Sequence, residues 1–512
     1  MKFAHQNKLF SCLLALFSIA PAHAQTNHNS SLAAIHNSSL VANHNSSIQA
    51  AKQADLQPGQ QLKVEFVASQ PCALVQFVNI LAERHHTSGW VKGWYEKQCK
   101  TNPALVGNLQ ADKAPLAAYQ KLIDREEKHF HYVDEIGRDR SVDEVILCQA
   151  ARCNYIPELI AKLKGTLSED DLHTLQNTLN HFLPAFDDLI WKPRSATFKR
   201  QVEEFRQQTA ATKMCERLTQ VRQFLGSSYP TEKPFLIALS PLPAGGKQTS
   251  GQSMGIVQTV ELKPNDKFQT MADVVFHEAV HALWFAKKDA NEAMKLFTIP
   301  GKGALPITEL YEGMATALGQ GWFAKEAFGR TGKSWYADPI IDHYSKTVWP
   351  LYADYLKQRR KLDAAFAREA TACYYRMYPA AAERIVLTSC YLILADEMQD
   401  FSGFRKEVYK AMPRLRECSI NTPINAKEGF QAFEDSHADR VAILTSFSKI
   451  AELKPLGITD REIQKLKGKS FHATTLEFKG KQILFCLAET SEDQKRVFYE
   501  VLKLQNWPRA EK

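Results

Sequence analysis

The chain has no two cysteines spaced C-x-x-C, no apolar run beyond its N-terminus long enough to span a bilayer, and no large surplus of one charge. Each absence removes a class of function. Without C-x-x-C there is no cysteine zinc ribbon and no thioredoxin-type redox site. A membrane-crossing helix needs about 18 or more consecutive apolar residues, and no later segment approaches that. The 64 basic and 56 acidic residues leave a formal charge of +8. They are interspersed, so there is no basic stripe of the kind that follows a nucleic-acid backbone. Between Gln25 and Ala51 charge is missing altogether.

What the N-terminus does contain is an export signal. Lys2 and Lys8 precede or border the apolar stretch Leu9 to Ala20, and Ala22-His23-Ala24 forms a small-residue cleavage site before Gln25. Residues 1–24 therefore read as a signal peptide. Its loss removes Lys2 and Lys8, leaving 62 basic against 56 acidic residues, a charge of +6. The expected product is periplasmic or secreted, with no stable membrane insertion after cleavage. Residues 25–60 carry a tandem repeat, His28-Asn29-Ser30-Ser31-Leu32, His36-Asn37-Ser38-Ser39-Leu40 and His44-Asn45-Ser46-Ser47-Ile48. This tract is too polar and too small-chained to bury a core and reads as a flexible tether. Ten cysteines become nine when Cys12 leaves: Cys72, Cys99, Cys148, Cys153, Cys215, Cys373, Cys390, Cys418 and Cys486. An oxidising compartment favours some pairing, and the odd count leaves at least one thiol over. Cys148 with Cys153, and Cys72 with Cys99, are the pairs to test first.

The folded body begins after Pro58-Gly59. Its expected class is α+β, predominantly helical: a mostly helical subdomain at 61–230, a core at 231–345, a helical subdomain at 346–460 and a small ββα element at 461–512. Leu62 to Ala68 alternates like a strand, and helical apolar spacing dominates from Ala73 to about Leu225. Phe235 to Leu239 is a short apolar run that fits a buried strand. The Gly-, Ser- and Pro-rich stretch Pro241 to Ser253 reads as a long loop, and Gly255 to Leu262 as another strand. From about residue 340 the pattern is helical through Ile450. A hairpin follows, Thr474 to Phe478 and Gln482 to Leu487 around Lys479-Gly480, then a helix with Ser491 and Gln494 as its capping pair.

The segment that names a chemistry is His277-Glu278-Ala279-Val280-His281. Residues four apart share a helix face, so both imidazoles reach one metal ion. Two neutral imidazoles suit Zn²⁺, and a catalytic site adds a third protein ligand and an open position for water. Glu278 sits where its carboxylate takes a proton from that water. Positions 274 to 283 read Val-Val-Phe-His-Glu-Ala-Val-His-Ala-Leu. A surface helix would interleave charge, so this one is buried and its three polar residues need a task. Thr270 with Asp273 offers an N-terminal capping pair, and Lys287 with Lys288 suits the C-terminal end.

The third ligand sets the subclass. A metzincin would need Gly at 284 and His at 287, where this chain has Trp284 and Lys287. The carboxylate candidates lie in Glu309-Leu310-Tyr311-Glu312-Gly313-Met314-Ala315, on a helix that Pro306 and Thr308 start and Gly319 ends. Glu309 stands one helical turn before Glu312 and shares its face, so the two compete, and the loser is a candidate to orient a ligand histidine. Here the chain resembles the gluzincin group of zinc metallopeptidases, in which a second helix supplies a glutamate ligand in a Glu-Gly-x-Ala setting. Glu312-Gly313-Met314-Ala315 matches that setting. The resemblance covers residues 235–320. It implies Glu312 as third ligand, one Zn²⁺ per chain, and a zincin-like core of small sheet, HExxH helix and glutamate-ligand helix, flanked by helical subdomains. In such enzymes an edge strand beside the site pairs with extended substrate backbone. The small residues after Glu312 would let the two helices approach closely.

The resulting expectation is an exported zinc-dependent metallopeptidase acting on a peptide or protein substrate, with Glu278 as general base. His343 and Tyr344 are the nearest downstream candidates for stabilising a tetrahedral intermediate. Two rivals stand beside this reading: a zinc hydrolase of a non-peptide amide, and a non-catalytic zinc-binding exported protein. Glu278 argues against the last, because a purely structural site has no use for a base beside its ligands.

Overall fold

A computed structural model describes residues 61–508 except for short internal stretches, the longest of which is 420–426. The signal peptide, the repeat tract and the Lys479-Gly480 turn lie outside the described residues. The fold is α+β and mostly helical, with small mixed sheets. Among the described residues no helix is long and apolar enough to cross a membrane.

The first sheet organises the region that matters most. It has four strands, β1 (Val64–Val67), β2 (Phe235–Pro241), β3 (Gly251–Met254) and β4 (Val257–Leu262), in the order β1-β2-β4-β3. β1, β2 and β4 run parallel, with Val64 opposite Phe235 and Leu236 opposite Val257. β3 returns antiparallel on β4, Gly251 opposite Val260, and forms the edge. Every residue of β2 is buried, as expected of a strand covered on both faces. Its alternation divides two cores. Phe235, Ile237 and Leu239 join the cluster of the HExxH helix, while Leu236 and Ala238 join the cluster built on the N-terminal helices. The sheet is therefore the middle layer of three.

The helix α1 (Gln70–Leu81) fills the centre of the N-terminal layer and is buried from Pro71 onward. Ser69 caps it, accepting from Cys72 N, and its hydroxyl also reaches the Ala150 and Cys153 carbonyls at 2.6 and 2.8 Å. On the other side of the sheet lies α2 (Phe268–Phe285), the HExxH helix, apolar on nearly every face. It begins two residues before Thr270. The Thr270 hydroxyl accepts from Lys267 N at 3.3 Å, and Asp273 sits inside the helix rather than capping it.

The structure differs from the sequence reading at four places. The stretch Pro241 to Ser253 ends in the edge strand β3, whose Gly-Gln-Ser-Met carries no apolar alternation to reveal it. The region between 340 and 450 is not helical throughout. It contains β5 (Cys390–Ala395), β6 (Glu417–Ser419) and β7 (Arg440–Thr445), which join β8 (His472–Phe478) and β9 (Lys481–Leu487) in one sheet of order β6-β5-β7-β9-β8. β5, β6, β7 and β9 are parallel and only β8 is antiparallel. The last helix, Ser491–Leu502, is capped by Thr490 rather than Ser491. Finally, Cys72, Cys99, Cys148 and Cys153 are all free thiols, so neither expected pair is joined. Cys148 Sγ instead lies 3.5 Å from the Met254 carbonyl, and Cys153 Sγ lies 3.1 Å from that of Gln149.

The glutamate helix follows α2 after a small hairpin, Thr298–Ile299 with Gly303–Ala304. It runs without a break through a π-helical turn (Glu309–Gly313), an α turn (Met314–Thr316), a second π segment (Ala317–Phe323) and a last α turn (Ala324–Phe328). Gly319 does not end it. A Cβ at Gly319 would stand 2.8 Å from the Asp273 carbonyl oxygen and 3.2 Å from the His277 backbone nitrogen. Gly319 is thus where the two helices touch backbone to backbone. Gly319→Ala is expected to destabilise the protein by about 1–3 kcal/mol through overpacking. Gly93→Ala, in an exposed helix with nothing within 4 Å of the added carbon, should stabilise by about 0.5–1 kcal/mol. Denaturant unfolding of both variants tests the contact, and equal effects of the same sign would contradict it.

Candidate metal centre

Two helices carry the site. α2 brings His277 and His281 onto one face, four residues apart, and the first π turn of the next helix brings Glu312 opposite them. His277 Nε2 lies 3.0 Å from His281 Nε2 and 3.2 Å from Glu312 Oε2, and His281 Nε2 lies 3.5 Å from Glu312 Oε1. The three groups offer ligand atoms all within 4.8 Å of one another, and no other such group occurs among the described residues. A tetrahedral shell with bonds of about 2.0–2.1 Å spaces neighbouring ligand atoms about 3.3–3.4 Å apart. The observed separations bracket that spacing, so these donors fit a small four-coordinate cation. The set is also dry: His277 and His281 are 5% and 7% exposed.

Supporting contacts orient the donors. His277 Nδ1 faces Gln320 Oε1 at 3.3 Å. A proton on Nδ1 directed at that acceptor leaves Nε2 bare for a metal. The His281 ring stacks on Phe285, one turn further along α2, at 6.2 Å between centroids. Burial pushes the Glu312 carboxyl up, but His281 and His277 outweigh it and hold the group well below the usual carboxylate range.

Glu278 lies beside this set without belonging to it. Burial is the main cause that raises its carboxyl to about 7, with Glu312 adding to the effect and His277 opposing it. The edge strand closes over it. A Cβ at Gly251 would stand 2.7 Å from both Glu278 Cγ and Oε1, so only glycine lets β3 pass this close. Just ahead of Gly251, the Ser250 hydroxyl donates to Glu261 of β4, which also takes the Ser88 hydroxyl and the Gln76 amide. The start of the edge strand is thereby tied to the N-terminal layer.

Glu309 takes a different part from the one its spacing suggests. It is fully buried, faces Arg414 Nε at 3.1 Å through Oε1 and accepts from the Thr308 hydroxyl at 2.6 Å through Oε2. It neither joins the ligand set nor holds a ligand histidine among the contacts described. The π turn is the reason. With hydrogen bonds closing i→i+5, each residue advances less than in an α-helix, so positions three apart no longer share a face.

His343 and Tyr344 do not face the cluster. His343 is exposed, with its ring against Tyr378. The Tyr344 hydroxyl donates to the Ala370 carbonyl at 3.3 Å, and its ring packs where Gly313 leaves room. The residue that sequence reasoning missed is Tyr336. Its ring lies parallel to His277 at 6.3 Å, beside the ligand candidates. Burial first, then the charge of Glu312, pushes this phenol well above its ordinary range. No sequence signal marks it, because it follows Lys333-Ser334-Trp335 in an irregular segment. No protein-family model, curated protein or solved structure matches this chain.

Proposed function

We propose that the protein is an exported zinc-dependent peptidase in which His277, His281 and Glu312 hold the metal and Glu278 is the general base. One observation carries the reading: two imidazole nitrogens and a carboxylate converge on a single point, while a second buried carboxylate lies next to them but outside the set. The mixed sheet, the HExxH helix and the glutamate helix are the parts that a gluzincin resemblance implies. Zn²⁺, when bound, supplies Lewis-acid polarisation of an amide carbonyl and an acidified water. Glu278 takes a proton from the attacking water and returns it to the leaving amine, a transfer suited to a carboxyl raised towards neutrality. The Tyr336 O–H donates a hydrogen bond to the oxyanion that develops at the carbonyl. The free edge of β3 offers backbone donors and acceptors to an extended chain, and its contact with Glu278 through Gly251 favours a peptide over a compact amide.

Purified protein should carry about one Zn²⁺ per chain, and His277→Ala or His281→Ala should lose it. Glu312→Gln should weaken zinc affinity sharply, whereas Glu309→Gln should cost about 10–100-fold at most. Chelator competition measures all four, and full occupancy in both histidine variants would end the metal reading.

Glu278→Gln keeps shape but not basicity. It should fold, retain zinc and lose at least about 10²–10⁴-fold in turnover of a peptide that a library screen identifies. Turnover equal to wild type would remove Glu278 from the mechanism.

Tyr336→Phe tests the electrophilic role separately. Zinc should stay bound and kcat should fall about 10²–10³-fold with little change in KM. A raised KM with kcat intact would make Tyr336 a substrate-binding residue instead.

A further inference from the structure

We propose that Arg414 is a positioning residue of the metal centre: one guanidinium from the C-terminal part of the chain fastens both the first turn of the glutamate helix and the segment that carries Tyr336. Arg414 follows the helix Phe401–Ala411, which packs on the β5–β9 sheet, and is 2% exposed. Its Nε lies 3.1 Å from Glu309 Oε1, its Nη2 2.7 Å from Asp338 Oδ1, and its Nη1 3.5 Å from Thr308 Oγ1. These anchors are not arbitrary points in the core. Glu309 begins the π turn that holds Glu312. Asp338 stands two residues after Tyr336 and caps the helix Pro339–Lys357, accepting from Ile340 N at 2.8 Å and Ile341 N at 3.2 Å. That helix in turn lays Tyr344 against Gly313, the residue after Glu312.

The spread of the guanidinium explains why arginine stands here. Its Nη2 donates to Asp338 while its Nε stays within ion-pair distance of Glu309, a reach between two carboxylates that the single point charge of a lysine ammonium lacks. Glu309 and Asp338 belong to separate segments, and each sits next to a different group of the site, a metal ligand in one case and the tyrosine in the other. Holding both from one residue sets the distance between Glu312 and Tyr336. The same C-terminal part also buries Ala304 within the apolar face of its sheet, and the Ala304 carbonyl accepts from Tyr375 Oη at 3.1 Å. The C-terminal sheet is thus a brace for the centre rather than an appendage.

This inference rests on reading His277, His281 and Glu312 as metal ligands, and its test is arranged to fail separately from that reading. Full-length Arg414→Met, Arg414→Lys and the paired Glu309→Leu/Arg414→Met are compared with wild type. The measurements are thermal unfolding of the metal-free protein, Zn²⁺ affinity by competition with a chromophoric chelator, and kcat and KM for a cleaved peptide. Arg414→Met should lose about 10–100-fold in zinc affinity and lower kcat more than it raises KM, and Arg414→Lys should recover only part. The paired variant removes the fully buried Glu309 charge together with the arginine, and leaves Asp338, 20% exposed, to the Ile340 and Ile341 backbone N–H donors. It should regain the melting temperature without regaining zinc affinity, and it carries the test if Arg414→Met does not fold. Folded Arg414→Met with wild-type zinc affinity would overturn the proposal, as would a paired variant that regains both properties together. Wild-type protein that binds no zinc would overturn the metal reading, and this inference with it. Wild-type protein that binds zinc but cleaves no peptide would sink only the peptidase, because the zinc affinities still decide on Arg414.

Discussion

The contact on which the centre depends is the backbone approach of two helices at Gly319. α2 is apolar on nearly every face, yet it carries His277, Glu278 and His281. Buried polar groups without partners are costly, so this helix is stable only if another element meets its imidazoles. The glutamate helix does so because Gly319 has no side chain to hold it off the Asp273 carbonyl and the His277 nitrogen. Once the axes are that close, Gln320 reaches His277 from one side and Glu312 reaches both imidazoles from the other. The convergence of these three side chains is a consequence of helix packing.

The sheet supplies the complementary constraint. β2 is clamped between two cores, and β4 is hydrogen-bonded to it along its length. β3 is the only strand of this sheet that leaves the parallel direction, and it lies at an edge with its first residue against Glu278. A glycine at 251 therefore serves two ends: it lets the strand close over the carboxylate, and it leaves no side chain between the strand's backbone and the site. Burial under that strand helps to explain why the Glu278 carboxyl titrates near neutrality while Glu312, a few ångströms from two imidazoles, stays ionised.

How much of this was legible in the sequence depends on range. His277, Glu278 and His281 lie within five residues, and helical periodicity alone puts both imidazoles on one face. The surrounding apolar residues announce the burial that α2 shows. The choice between Glu309 and Glu312 was not decidable from an α-helical wheel, because the turn that carries them is π-helical and separates their directions. Cys390–Ala395 and Arg440–Thr445 were read as helical because strands of a parallel sheet covered on both faces are short continuous apolar runs, which periodicity does not distinguish from buried helix. Tyr336 and Arg414 were invisible for another reason. Their roles come from contacts with residues brought near only by the folded chain, across 24 residues to Glu312 and 105 to Glu309.

Three glutamates of these two helices, Glu278, Glu309 and Glu312, differ in their partners, and the partners separate their electrostatics. Glu312 faces two imidazoles and is held well below the ordinary carboxylate range, the state a metal ligand requires. Glu309 is raised by burial, with Arg414 and the Thr308 hydroxyl opposing that rise, and both its oxygens are engaged away from the ligand set. Glu278 meets neither a guanidinium nor a direct imidazole bond among the contacts described, so burial dominates and its carboxyl rises to about 7. A group that must gain and lose a proton in turnover needs this intermediate position, because a firmly paired carboxylate is a poor base and a fully neutral one has no charge to give. The fold thus gives one carboxylate a guanidinium, sets one against two imidazoles, and leaves the third with burial as its main influence.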